Sequence, residues 1–108
     1  MIPELKMPIC VCELETGNFY FFNSLSNFQL FIEEFFDILE EEFKFWDATG
    51  NSIRVTSAFL ERVNDGIFIN SSEEISLREK LLQYANKIGF SIVCIDNMTI
   101  ENIIKLIR

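Results

Sequence analysis

The sequence contains no histidine. Histidine is the side chain whose ordinary pKa lies nearest to neutral pH, so it is the usual general base of enzymes and the commonest metal ligand. Its absence excludes serine–histidine and cysteine–histidine nucleophile pairs and leaves any zinc site short of ligands. The chain also lacks a glycine-rich loop for binding phosphate. We therefore expect no catalytic residues, no metal site and no cofactor.

Cysteine is scarce, and its count is odd: Cys10, Cys12 and Cys94. Cys10 and Cys12 are predicted to point to the same face of one strand, which is poor geometry for a disulfide. Three cysteines without histidine do not complete a structural zinc site. The sequence predicts reduced, buried thiols.

Long hydrophobic runs are missing too, since no apolar stretch reaches the roughly 18 residues that a membrane helix needs. The first eight residues carry neither a basic leader nor a small-residue cleavage site, so no secretory signal is predicted. With 49% apolar residues and a length of 108, the chain is expected to be one soluble α+β domain covering residues 1–108. Its predicted location is the cytoplasm.

Basic residues are few: nine Lys and Arg stand against 17 Asp and Glu, a net charge of −8. This balance argues against nucleic acid and against an anionic membrane surface, because both bind cationic patches. It favours a basic protein partner. Residues 31–47 contain seven of the acids and one base, Lys44, so most of the negative charge lies on about a sixth of the chain.

The pattern of apolar residues and turns predicts an α+β fold. Strands are predicted at residues 9–14, 18–22, 43–47, 52–59, 67–69 and 90–95, and helices at 25–36, 77–88 and 100–107. Gly17, Gly50 and Gly66 are placed in turns, and Gly89 at a helix end. We expect a mostly antiparallel sheet of five to six strands built from hairpins, with two main helices on one face and a short C-terminal helix.

Three local features refine this prediction. Ser76 and Glu79 match a capping box that would begin the helix at residue 77. Asn97 or Thr99 can cap the last helix, whose isoleucines would form its inner face. Residues 38–42 fit either a helix or a loop, and propensity alone does not decide between them.

The acidic residues have two readings. Glu33 and Asp37, four residues apart on one helix, could in principle act as acid and base, but charges on a solvated helix face are far more common. The run Glu40, Glu41 and Glu42 is either such a solvated surface or a docking surface for a cationic protein. An enzyme is therefore not expected.

Trp46, the only tryptophan, follows this run. Strand residues alternate between faces, so if Phe43 and Phe45 point into the core, Lys44 and Trp46 point away from it. Trp46 is then either an exposed interface anchor or is covered by the last helix or the N-terminal segment.

Four segments follow one another in a characteristic order. They are Phe22-Asn23-Ser24-Leu25 leading into a helix, an acidic linker, Phe43-Lys44-Phe45-Trp46-Asp47-Ala48-Thr49-Gly50, and a polar link before the helix from Leu77 to Tyr84. This order resembles that of small bacterial immunity proteins of polymorphic or contact-dependent toxin systems. The resemblance covers residues 19–89. It implies a non-enzymatic protein that blocks a toxin, often a basic nuclease, by masking its active site with acidic side chains.

The resulting functional hypothesis is an immunity-type inhibitor of a cognate cationic toxin. The predicted partner-binding residues are Glu33, Asp37, Glu40, Glu41, Glu42, Trp46 and Asp47. The alternative is a regulatory or interaction module without a toxin partner, which forms a homodimer through an apolar helix or an edge strand.

Overall fold

The computed structural model describes residues 4–89 and 98–107. Its strands are β1 (Ile9–Glu13), β2 (Phe19–Phe22), β3 (Phe43–Trp46), β4 (Asn51–Val55) and β5 (Ile67–Ser72). Its helices are α1 (Leu25–Phe35), α2 (Leu39–Glu42), α3 (Ala58–Glu61), α4 (Glu74–Lys87) and α5 (Ile100–Ile107). The strands form one antiparallel sheet in the order β2-β1-β3-β4-β5. The predicted α+β class and antiparallel sheet are confirmed.

Both faces of the sheet are covered. In β1, Ile9 and Val11 point to one face and Cys10 and Cys12 to the other, and all four are buried. Helix α1 packs on the first face together with α3, and helices α4 and α5 pack on the second. The residues that these helices bury include Phe28, Ile32, Phe59, Leu77, Leu81, Ala85, Ile103 and Ile104.

The expectation that the two main helices share one face is therefore wrong. Helices α1 and α4 lie on opposite sides of the sheet. The physical reason is the composition of β1: its residues Ile9 to Cys12 are apolar on both faces, and an uncovered second face would leave Cys10, Cys12 and the neighbouring Trp46 in water.

The end of α1 differs from its prediction by one residue, and the undecided residues 38–42 are resolved. Helix α1 begins at Leu25, where the Ser24 hydroxyl accepts a hydrogen bond from the Asn27 N–H at 3.2 Å. It ends at Phe35, one residue before the predicted end. A 3-10 turn (Phe36–Ile38) and helix α2 follow, so the stretch that propensity left undecided is helical.

Strand β4 is shorter than predicted. It ends at Val55 rather than at residue 59. The Thr56 N–H still donates to the Gly66 carbonyl at 2.7 Å, and after this hydrogen bond the chain turns into α3. Phe59 is fully buried as a helical residue. A short apolar run does not by itself distinguish strand from helix, which is why this helix was missed.

Helix α4 begins three residues before its predicted start at Leu77. The helix begins at Glu74, Ser76 lies inside it, and Glu73 is its N-cap residue, so the predicted capping box is wrong. The helix ends at Lys87, one residue before the predicted end, and Gly89 follows it with a φ of +86°, as predicted for a residue that closes a helix.

Helix α5 matches its prediction. The Thr99 hydroxyl accepts a hydrogen bond from the Asn102 N–H at 3.1 Å, and Ile100, Ile103 and Ile104 are buried. The strand predicted at residues 90–95 lies outside the described residues.

Candidate functional site

The acidic segment, residues 33–42, runs along the surface where α1 gives way to α2. Glu33 and Glu34 lie in the last turn of α1, Asp37 lies in the 3-10 turn, and Glu41 and Glu42 lie in α2, which also contains Glu40. Glu33, Glu34, Asp37 and Glu41 are exposed, and Glu42 is half-buried. The predicted acidic residues are therefore brought together on one continuous stretch.

The charges of this segment are not balanced locally. The two ion pairs within residues 4–89 and 98–107 are Lys44–Glu73 and Arg78–Glu74, and neither uses an acid of the segment. The last turn of α1 carries no base, although the helix dipole favours cations there and disfavours Glu33 and Glu34. The fold thus keeps a cluster of like charges in an unfavourable place.

A cleft opens beside this segment, between β3 and β4. Strand β3 pairs with β1 at four positions but with β4 at one, Trp46 opposite Ser52, so the two strands diverge beyond that pair. The space between them has a volume of about 460 Å³. The buried side chains of Leu39, Phe43 and Ile53 line it.

The rim of the cleft is charged. Asp37 and Glu41 of the acidic segment line it, as do Lys44 of β3 and Arg54 of β4. The Lys44 ammonium lies 2.5 Å from a carboxylate oxygen of Glu73. The Arg54 guanidinium lies over the Phe68 ring, 5.0 Å from its centroid. Both cations are thus engaged with groups other than Asp37 and Glu41.

Trp46 is not an exposed anchor. Its side chain has no solvent exposure and lies in the core between the sheet and helices α4 and α5. The Phe19 ring lies 6.2 Å from it between centroids, and the Lys44 ammonium lies 5.4 Å from its centroid. Of the two alternatives, the one in which the last helix covers Trp46 is correct, and the prediction of Trp46 as a partner-binding residue is wrong.

The prediction of Asp47 as a partner-binding residue is also wrong. Its side chain is buried within the β3–β4 turn and is 1% exposed. Its Oδ1 accepts hydrogen bonds from the Thr49 N–H at 2.9 Å, the Thr49 hydroxyl at 2.7 Å and the Asn51 N–H at 3.0 Å. Its Oδ2 accepts the Lys6 N–H at 3.3 Å. This carboxylate holds the turn and the N-terminal segment together instead of facing a partner.

The Lys44–Glu73 pair sits above the buried Trp46. The Lys44 ammonium, through its hydrogen bond, is the main cause that lowers the pKa of Glu73 below its ordinary value; Ser71 and Trp46 act in the same direction and burial opposes them. Trp46 Nε1 has no hydrogen-bond partner of good geometry among the described residues, so it is oriented towards this carboxylate without being satisfied by it. Because the pKa is lowered, the pair stabilises the fold above the ordinary pKa of a glutamate, and the effect is lost as the pH falls through the lowered value.

The cysteines and the clustered acids form no metal site in the described part of the chain. Cys10 and Cys12 are buried as predicted, and burial is the main cause that raises the pKa of the Cys12 thiol. Cys94 lies outside the described residues. Within residues 4–89 and 98–107, no cluster of three or more acidic or cysteine side chains could hold a metal ion, and no helix is long and apolar enough to cross a membrane.

No pattern in the sequence predicts the cleft. Leu39, Ile53 and Arg54 are ordinary helix and strand residues. The cleft forms because two strands diverge, and strand pairing cannot be inferred from any single residue.

In comparisons with known proteins, no family model matches the chain, and no curated protein or solved structure is significantly similar to it.

Proposed function

We propose that this protein is a non-enzymatic, immunity-type inhibitor that binds a basic protein through the acidic segment. The observation that carries the proposal is the set of exposed acids at the end of α1 and in α2, which have no ion-pair partner among the described residues. Concentrated charge of one sign speeds encounter with a partner of opposite sign. It also costs stability through self-repulsion, which a partner would offset.

The binding residues proposed are fewer than the sequence indicated. Glu33, Asp37, Glu41 and Glu42 remain, with Glu40 retained on its position in α2. Trp46 and Asp47 have structural roles and are left out. A cognate toxin, in this proposal, is a basic domain whose own cationic surface is covered when the acidic segment binds.

The proposal expects a neighbouring gene to encode a large secreted protein with a basic C-terminal domain, and the test is co-expression of the chain with that domain. The wild-type chain should restore growth. A Glu33→Lys/Glu41→Lys variant should associate about tenfold more slowly at low salt, with a flatter salt dependence. Both residues are exposed, so the substitutions leave the core unchanged.

A matched control is the Glu15→Lys/Glu79→Lys variant. It makes the same change in net charge at two exposed acids outside the segment. If the two double variants slow association equally, the effect belongs to net charge and the proposed surface is wrong.

A second candidate function is a dimeric interaction module, favoured by the outer edge of the sheet. Strand β5 is an edge strand of six residues without a charged side chain, and Phe68 and Ile69 on it are 45% and 39% exposed. Uncharged edge strands are templates for pairing with another chain. In this reading the acids serve solubility alone.

A further inference from the structure

The cleft between β3 and β4 combines an apolar interior with a rim that carries two acids, Asp37 and Glu41, and two bases, Lys44 and Arg54. Lys44 pairs with Glu73, and Arg54 lies over the Phe68 ring. Leu39, Phe43 and Ile53 are each at most 7% exposed and supply the interior, whereas Asp37 and Glu41 at the rim are exposed. The volume of about 460 Å³ lies within the range of about 300–1,000 Å³ typical of ligand pockets. A group that is apolar along its length and cationic at its end is complementary to both parts.

We propose that the cleft receives an arginine side chain of the basic partner. Its methylene groups pack on Leu39, Phe43 and Ile53, and its guanidinium lies between the carboxylates of Asp37 and Glu41. Arginine is favoured over lysine because its planar, five-donor head can bond two carboxylates at once. This inference rests on the proposed function, since it supplies the anchor that Trp46 does not provide.

The two cations at the rim do not close the cleft to arginine. Lys44 is held by Glu73 at 2.5 Å, on the side of the sheet where α4 lies. The Arg54 guanidinium stacks on Phe68 of the outer strand β5. Asp37 and Glu41 have no cation partner among the described residues, so an incoming guanidinium replaces water and breaks no existing ion pair.

The test uses short peptides, so it does not require the partner itself. The probe is acetyl-Leu-Arg-Leu-amide, and the matched control is the same peptide with citrulline, which keeps the shape of arginine without its charge. We expect amide NMR shifts confined to residues 37–45 and 53–55 at up to about 10 mM peptide, and at least about fivefold weaker binding of the citrulline peptide.

Two double variants locate the binding. Asp37→Asn/Glu41→Gln should weaken binding of the arginine peptide at least about fivefold, whereas Glu61→Gln/Glu79→Gln, which removes two charges outside the acidic segment and outside the cleft lining, should change it less than about twofold. All four residues are exposed, so both variants should fold. Equal binding of the two peptides, equal effects of the two variants, or no shifts at all would overturn the inference.

These outcomes separate the cleft from the function. If the arginine peptide fails to bind while Glu33→Lys/Glu41→Lys still slows association with a basic protein, the acidic segment attracts its partner without an anchor in the cleft. If the peptide binds but no basic protein does, the cleft is an arginine site and the inhibitor proposal is wrong.

Discussion

A single carboxylate, that of Asp47, joins three parts of the chain. It accepts hydrogen bonds from the β3–β4 turn at Thr49, from the start of β4 at Asn51 and from the N-terminal segment at Lys6. The Lys6 carbonyl in turn accepts the Ala48 N–H at 2.9 Å. These hydrogen bonds are part-buried, and each such bond typically contributes about 0.5–1.5 kcal/mol, more when the acceptor is charged.

Asp47→Ala should therefore lower the free energy of unfolding by about 2–3 kcal/mol, because the buried carboxylate is the acceptor of several part-buried hydrogen bonds that are lost together. Urea titration measures the loss. The matched control is Asp37→Ala, an exposed carboxylate whose removal should change stability by about 0.5 kcal/mol or less. Equal losses in the two variants would contradict the structural role of Asp47.

At the scale of elements, the β3–β4 hairpin packs end-on against the beginning of α4. The Gly50 carbonyl accepts the Glu73 N–H at 2.7 Å, and Gly50 has a φ of +92°. A Cβ atom added there would lie 2.6 Å from the Cα of Glu74, which is backbone and cannot turn aside. The glycine thus serves both the turn and the close approach of the helix.

Gly50→Ala should destabilise the protein by about 3 kcal/mol, from backbone strain and from the clash with Glu74 together. Gly17→Ala is the control, since Gly17 also has a positive φ, +76°, but a Cβ there meets nothing within 4 Å. Gly17→Ala should lower the free energy of unfolding by about 1 kcal/mol, because it introduces backbone strain but no clash. Thermal or urea unfolding of both variants decides, and equal losses would mean that the hairpin and α4 do not pack as described.

The elements differ in how far the sequence predicts them. Helix α5 was predicted to the residue, because Thr99 offers a cap and the isoleucines repeat with a helical period. Helix α3 was missed because four residues are too few to show a period. The prediction that α4 shares a face of the sheet with α1 is wrong, because periodicity shows which side of a helix is apolar but not which face of a sheet the helix covers.

The candidate site was predicted in part for a related reason. The exposed acids could be read from composition, since clustered carboxylates are nearly always at the surface. Trp46 and Asp47 adjoin them in sequence but are buried, because a strand alternates faces and both of its faces are covered here. A strand residue that adjoins a charged run in sequence can therefore be buried, because both faces of this sheet are covered by helices.

At the scale of the whole molecule, the open edge of β5 limits how the chain can behave in solution. The Thr56 to Gly66 hydrogen bond fixes the ladder so that the backbone groups of Ile67 and Ile69 point away from β4. A register shift opposite Ser52 and Ile53 leaves Asn70 unpaired as a bulge, which interrupts the open edge. The edge therefore favours self-pairing, but only over a short run.

We expect weak self-association through β5, with a dissociation constant that changes little with salt because the strand carries no charge. Ile69→Lys should abolish it, since two copies paired along this edge would bring like charges together. Leu30→Lys, at an apolar residue of α1 that is 62% exposed, is the control and should leave it unchanged. Light scattering across a range of concentrations makes the measurement; a chain that stays monomeric throughout would exclude the dimeric module.

Because α5 covers Trp46, this tryptophan becomes fully buried only late in synthesis of the chain. Every strand of the described sheet precedes α5 in the chain, so the ribosome releases the sheet before the helix that covers the tryptophan face. Until Ile103 and Ile104 emerge, only α4 covers that face, and the part that α5 later covers is open to water and to other apolar surfaces. The nascent chain thus passes through a stage at which binding by a holdase chaperone is favoured, and docking of the last helix ends that stage.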